Sequence, residues 1–156
     1  MMKSNTPGIV GDLRAWQSKL QEYIIPSDRE IIWVVGESGN EGKTWFQDYL
    51  LAQYGSNRTF TTSIKKSSQG ILHALSKQVL PLIDVFVFNI QRSFDCMEIP
   101  YDLFEEIKDG KAVSTNIVLI FSNESPILTK ISKDRWNIFN IVRGELVKRD
   151  MTHTSY

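Results

Sequence analysis

Five consecutive apolar residues, Ile31 to Val35 (IIWVV), four of them β-branched, stop at Gly36, which predicts a strand buried on both faces. Before this run, Leu13, Trp16, Leu20 and Tyr23 recur at spacings of three and four within Asp12 to Tyr23, the mark of an amphipathic helix that Pro26 and Ser27 end. After it, helical spacing resumes from Thr44 to Tyr54 through Phe46, Tyr49 and Leu50, with Gly55 as the stop. Arg58 to Thr62 (RTFTT) reads as a short strand, Gly70 to Leu80 as a helix closed by Pro81, and Val85 to Ile90 (VFVFNI) as a second buried strand. Pro100 to Lys108 reads as a helix ended by Asp109-Gly110, and Asn116 to Phe121 (NIVLIF) as a third buried strand. Strands alternating with helices imply an α/β fold whose mainly parallel central sheet is flanked by helices, with right-handed crossovers. The tail from Met151 to Tyr156 is polar, unpatterned and expected to fray.

A length of 156 residues suits one domain with a proper core. Eighteen basic and 18 acidic residues cancel, so no long-range positive field announces a nucleic-acid partner, although a local basic patch on one face is compatible with these numbers. The single cysteine, Cys96, excludes an intramolecular disulfide, and Cys/His zinc spacings are absent; both suit a reducing compartment. No apolar run reaches the roughly 18 to 20 residues that span a bilayer, and the opening MMKSNTPGIVGD has no apolar stretch of signal-peptide kind. The chain reads as soluble and intracellular, with no membrane partner.

The candidate chemistry sits between the first strand and the next helix, in WVVGESGNEGKTWF, Trp33 to Phe46. A helix start offers unpaired backbone N–H groups and the positive end of its dipole, so a glycine-rich loop leading into it can wrap a phosphate. Gly39, Asn40, Glu41 and Gly42 form that loop, Lys43 is placed to reach the outer phosphates, and the Thr44 hydroxyl to join the shell of Mg²⁺, as in a Walker A loop. Five residues separate Gly36 from Gly42, one more than usual, so either Glu37 fills the first-glycine position or the loop is a residue longer. The plain alternative is a glycine turn beside an exposed lysine.

Further segments define the class of phosphate binder. DVFVFNIQRS (Asp84 to Ser93), YDLFEEIKDG (Tyr101 to Gly110), NIVLIFSNESP (Asn116 to Pro126) and KISKDRW (Lys130 to Trp136) follow the loop in order, and LRAWQ precedes it. Together they resemble the superfamily 3 helicase domain of replication-associated (Rep) proteins of circular single-stranded DNA viruses, of circovirus and nanovirus type, and of related plasmids. The likeness covers nearly the whole chain. It implies a three-layer P-loop NTPase (AAA+-like) fold, and an ATP- and Mg²⁺-dependent DNA-unwinding motor working as a homo-oligomeric ring, commonly a hexamer, on single-stranded DNA. By the same resemblance Asn89 stands in the Walker B position beside Mg²⁺ and Asn123 in motif C, sensing the γ-phosphate. Arg135, with Arg92 second, is then a candidate arginine for a neighbour's ATP. Residues 1–28 become a remnant of the oligomerisation region, 29–150 the ATPase domain and 151–156 a disordered tail; a viral member would work in the host nucleus. Bland readings stand beside these: Asn123 in a turn before Pro126, and Arg135 in an ion pair within its own subunit.

Three departures from the pattern bear on activity. Asn89 replaces the common aspartate, so it brings a neutral oxygen and no charge to Mg²⁺ and is a poor base. Asp84 lies at the wrong end of the strand to substitute, while Glu105 or Glu106 would help only from a helix packed close to the phosphates. Gly110 to Thr115 leaves no room for the DNA-gripping hairpin of the family, which threatens translocation more than ATP binding. The chain also lacks room for a nicking domain and reads as an isolated motor domain. The expected function is therefore an ATP-binding and ATP-hydrolysing motor. Its rivals are a nucleotide-dependent oligomerisation module with little hydrolysis and a small-molecule phosphotransferase.

Overall fold

The computed structural model describes residues 13–27, 30–36, 42–64, 83–90, 101–109 and 116–149. Six strands form one sheet: β1 (Ile31–Val35), β2 (Thr59–Ile64), β3 (Val85–Ile90), β4 (Ile117–Ser122), β5 (Trp136–Val142) and β6 (Glu145–Lys148). Their spatial order is β2-β3-β4-β1-β5-β6. The first five run parallel and β6 returns antiparallel to β5. Three α-helices are described, α1 (Ala15–Gln21), α2 (Lys43–Tyr54) and α3 (Tyr101–Asp109), with two short 3-10 turns, Leu128–Lys130 and Lys133–Arg135, between β4 and β5.

Side-chain alternation sorts the sheet into two faces. Ile31, Trp33 and Val35 of β1 join Phe86 and Phe88 of β3, and Val118 and Ile120 of β4, in a cluster with Tyr101, Phe104 and Ile107 of α3. Ile32 and Val34 point the other way, with Val85, Val87, Leu119 and Phe121, against Trp16 and Leu20 of α1 and Phe46 and Leu50 of α2. Every residue of β1 is buried, as its unbroken apolar run requires of a strand covered on both sides. The arrangement has helix, sheet and helix layers, and α1 shares the sheet's core.

Among the described residues, the expected strands and helices lie where the periodicity places them. The helix expected over Asp12 to Tyr23 spans Ala15–Gln21, and the strand expected from Arg58 runs over Thr59–Ile64. The β5-β6 hairpin is an addition. WNIFNIV has apolar residues facing both ways, and its turn, Arg143-Gly144, holds φ of 52° and 81°. Two successive positive φ values give the tight two-residue turn whose twist matches a hairpin, and the x-Gly dipeptide between two strand-like runs is its sequence signal. The helix expected over Gly70 to Leu80, the short connection Gly110 to Thr115 and the tail Met151 to Tyr156 lie outside the described residues.

From β1 the chain crosses to the far edge at β2, returns through β3 and β4 to β1's side, and then passes beyond β1 to β5. The connections leaving the neighbouring strands β1 and β4 run in opposite directions, so the carboxyl ends of β1 and β4 form the switch point at which open α/β sheets bind ligands.

Candidate functional site

At that switch point the first residue after β1 is the meeting point. The Gly36 carbonyl accepts a hydrogen bond from Lys43 Nζ at 3.1 Å and another from Asn123 Nδ2 at 2.7 Å. The Gly36 N–H donates to the Ser122 carbonyl at 2.9 Å, continuing the β1-β4 ladder by one step beyond the strands. Lys43 opens α2 and Asn123 follows β4, so the helix after the glycine loop and the end of the neighbouring strand are both aimed at the end of β1.

The loop hands over to α2 at Gly42. Its φ of 88° is left-handed, a conformation that costs a residue with a Cβ about 1–2 kcal/mol. The Gly42 carbonyl accepts the first intrahelical bond, from Phe46 N at 3.0 Å, and Gly42, the residue at the N-cap, has no side chain with which to cap the helix start. The opening N–H groups of α2, with the positive end of its dipole, are thus presented beside half-buried Lys43 and exposed Thr44. Gly39, Asn40 and Glu41 lie outside the described residues, as does Arg92.

Asn89 lies near the carboxyl end of β3, opposite Phe121 of β4, and shares the α2 side of the sheet with Val85 and Val87. Its Nδ2 donates to Gln47 Oε1. Gln47 stands four residues after Lys43 and three after Thr44, so it shares their helix face, which brings Asn89 toward that face. Helical periodicity is the signal that would have selected Gln47. Asp84 sits just before β3, at the opposite end, bonded to Arg58 Nε at 2.5 Å.

The loop after β4 is firmly seated. Trp33 Nε1 donates to the Glu124 carbonyl at 3.1 Å, Glu124 N to Ser122 Oγ at 3.1 Å, and Arg149 Nη2 to Ser125 Oγ at 2.7 Å. Arg149 also reaches Asn140 Oδ1 at 3.3 Å, and burial lowers its pKa from the ordinary guanidinium value. Asn123 is therefore fixed from several sides. Neither Trp33's indole N–H nor Arg149 was foreseen as part of this neighbourhood, because both act across 24 residues or more of chain.

Arg135 is elsewhere. It precedes Trp136, which pairs with Ile31 at the amino end of β1, whereas Val35 pairs with Asn140. Four residues of strand, about 13 Å at 3.3 Å per residue, separate the two levels. Its side chain is buried, with Nε 3.7 Å from Glu105 Oε2 of α3. The structure thus contains the ion pair within the chain, and it engages Glu105, one of the two carboxylates of α3 that could otherwise aid Mg²⁺.

The residues at the switch point fit a magnesium nucleotide better than a metal ion alone. Thr44 offers a hydroxyl and Asn89 a neutral amide oxygen, so the negative charge that Mg²⁺ requires comes from phosphate. Among the described residues no group of three or more His, Cys, Asp or Glu is placed to hold a metal. Nor is any described helix long and apolar enough to cross a membrane.

Comparison with known proteins adds an independent line. The chain is 33% identical over 144 residues to Para-Rep C7 of Faba bean necrotic yellows C7 alphasatellite, covering 83% of this chain and 48% of that protein. It is 34% identical over 142 residues to Para-Rep C1 of Faba bean necrotic yellows C11 alphasatellite, covering 82% and 47%. To Para-Rep C10 of Milk vetch dwarf C10 alphasatellite it is 32% identical over 142 residues, covering 81% and 48%. The chain spans about half the length of these relatives. No protein-family model and no solved structure matches it. Its homologues are alphasatellite Para-Rep proteins, matched over most of this chain.

Proposed function

We propose that the chain is a P-loop ATPase domain of AAA+-like, superfamily 3 helicase type, acting in replication of a viral or satellite DNA. The observation that carries this reading is the convergence of Lys43 and Asn123 on the Gly36 carbonyl at the sheet's switch point, beside the start of α2, whose N-cap is the glycine Gly42. The Para-Rep names of the relatives support the replication role.

In this reading the Gly39 to Gly42 backbone and the first N–H groups of α2 bind the phosphates of ATP, and Lys43 leaves the Gly36 carbonyl for the outer phosphates. Thr44 and Asn89 would hold, from the protein side, the Mg²⁺ that accompanies the nucleotide, and the ion would offset the charge of the phosphates. Asn123, anchored at the end of β1, stands ready to hydrogen-bond the γ-phosphate. Arg135 serves a neighbour's ATP in a ring only if its pair with Glu105 opens. The ring, its hexameric size, single-stranded DNA as the polymer, the host nucleus as the workplace and the division at residue 28 belong to the same proposal.

A second reading, an assembly module that binds ATP with little turnover, is favoured by Asn89, whose amide is engaged with Gln47 and supplies no carboxylate. Phosphate release from Mg²⁺·ATP, measured alongside native mass with and without nucleotide, separates the two. Turnover lost in Lys43→Ala supports the motor. Nucleotide-driven assembly without phosphate release supports the module. The absence of any nucleotide effect on either readout would remove both.

A further inference from the structure

Gln17 of α1 is a buried polar side chain, 1% exposed, and both ends of its amide are spent on backbone. Oε1 accepts from Arg14 N at 2.7 Å, closing the first turn of α1, and Nε2 donates to the Gly42 carbonyl at 3.0 Å, 25 residues away. Rotating the amide by half a turn would set oxygen against oxygen and N–H against N–H, so only one orientation satisfies both partners. The geometry at Gly42 is equally restrictive. A Cβ there would lie 2.9 Å from Gln17 Nε2 and 3.3 Å from Arg14 Cζ.

The rest of α1 fixes where Gln17 stands. Trp16 packs on Phe46 of α2, with ring centroids 5.6 Å apart, and on Phe121 of β4 at 6.0 Å. One turn on, Leu20 is fully buried and Gln21 Nε2 bonds the Tyr49 hydroxyl at 3.2 Å. The helix therefore lies along α2, with Gln17 at the junction of loop and helix and Gln21 farther down.

We propose that Gln17 is a positioning residue for the nucleotide site: by holding the Gly42 carbonyl it sets the left-handed backbone that aims the first N–H groups of α2 and Lys43, and docking of α1 becomes a condition for binding nucleotide. The proposal rests on the phosphate-binding reading of the Gly39 to Thr44 stretch. It makes α1 a working part of that site.

The test is binding of Mg²⁺·ADP to the full chain, well below the melting temperature, for the parent, Gln17→Met, Gln17→Glu and Ile107→Ala. Gln17→Met keeps the volume and loses both bonds. Gln17→Glu keeps the acceptor that caps α1, loses the donor to Gly42, and carries the test where Gln17→Met does not fold. Ile107, on α3 against the opposite face of the sheet, controls for lost stability alone. The expected result is at least tenfold weaker binding for both Gln17 variants, with Ile107→Ala unchanged despite a lower Tm. Gln17→Glu binding like the parent would reduce Gln17 to a cap of α1 and overturn the proposal, as would normal binding by Gln17→Met. A parent that binds no Mg²⁺·ADP removes the phosphate-binding premise itself, an outcome distinct from normal binding by the variants.

Discussion

Replacing Gly42 with alanine perturbs one junction whose geometry is known from both sides. Its φ of 88° costs an alanine about 1–2 kcal/mol, and the smaller freedom of the unfolded alanine chain returns about 0.4–1 kcal/mol. Gly144 provides the reference: its φ is 81° and an added Cβ would meet nothing within 4 Å, so Gly144→Ala carries the backbone cost alone. At Gly42 the Cβ would also press on Gln17 Nε2 at 2.9 Å and displace a buried hydrogen bond, a further cost of about 1 kcal/mol. For a chain of this size that increment corresponds to about 2–4 °C in Tm. Thermal unfolding followed by circular dichroism without nucleotide should therefore place Gly42→Ala about 2–4 °C below Gly144→Ala. Adding Gln17→Ala to Gly42→Ala should then cost less than Gln17→Ala does alone, since the bond is already broken. Equal melting of the two glycine variants, or full additivity with Gln17→Ala, would refute the clasp between α1 and the loop.

Asn89→Asp places a carboxylate beside Gln47, whose amide can turn to donate to it; Mg²⁺-dependent phosphate release should rise about 10- to 100-fold, and an unchanged rate would show that this position does not limit hydrolysis. Arg135→Ala leaves Glu105 without its buried partner and should lower Tm by about 3–10 °C, corresponding to about 1–3 kcal/mol for a pair of which Glu105 is partly exposed. An Arg135 acting only on a neighbouring subunit would leave the Tm of the isolated chain unchanged. Burial, and secondarily the Asp84 carboxylate, raise the Tyr54 phenol above its ordinary 10.0. Unfolded tyrosine therefore loses its proton first as the solution turns alkaline, and the stability present below about pH 10 is lost as pH climbs through the folded value. Tyr54→Phe should make the fall in Tm between about pH 9 and 11 shallower, and an identical slope would remove Tyr54 as its source.

Much of this architecture was legible because burial on both faces writes itself into the chain as unbroken apolar runs. IIWVV, VFVFNI and NIVLIF needed no context to be read as strands, and they became β1, β3 and β4. WNIFNIV was harder: Asn137 and Asn140 interrupt the run, so that β5 and its hairpin partner emerge only from pairing with β1 on one side and β6 on the other. Strand order is a long-range property, and with it the meeting of Lys43 and Asn123, 80 residues apart in sequence, at Gly36. The candidate loop could be placed by glycine spacing between strand and helix. Gln17 could not, because a glutamine on a helix is ordinary until the fold lays it against Gly42, and Arg135 could be assigned to Glu105 only once α3 was set on the sheet.

The most direct measurement is equilibrium binding of Mg²⁺·ATP to the chain and to Lys43→Ala, by calorimetry with Mg²⁺ alone as the reference titration. Saturable binding of Mg²⁺·ATP at one site per chain, lost in Lys43→Ala and absent for Mg²⁺ alone, is the predicted result. No binding by the parent, or equal binding by both proteins, would contradict the assignment of the switch point beyond β1 as a nucleotide site.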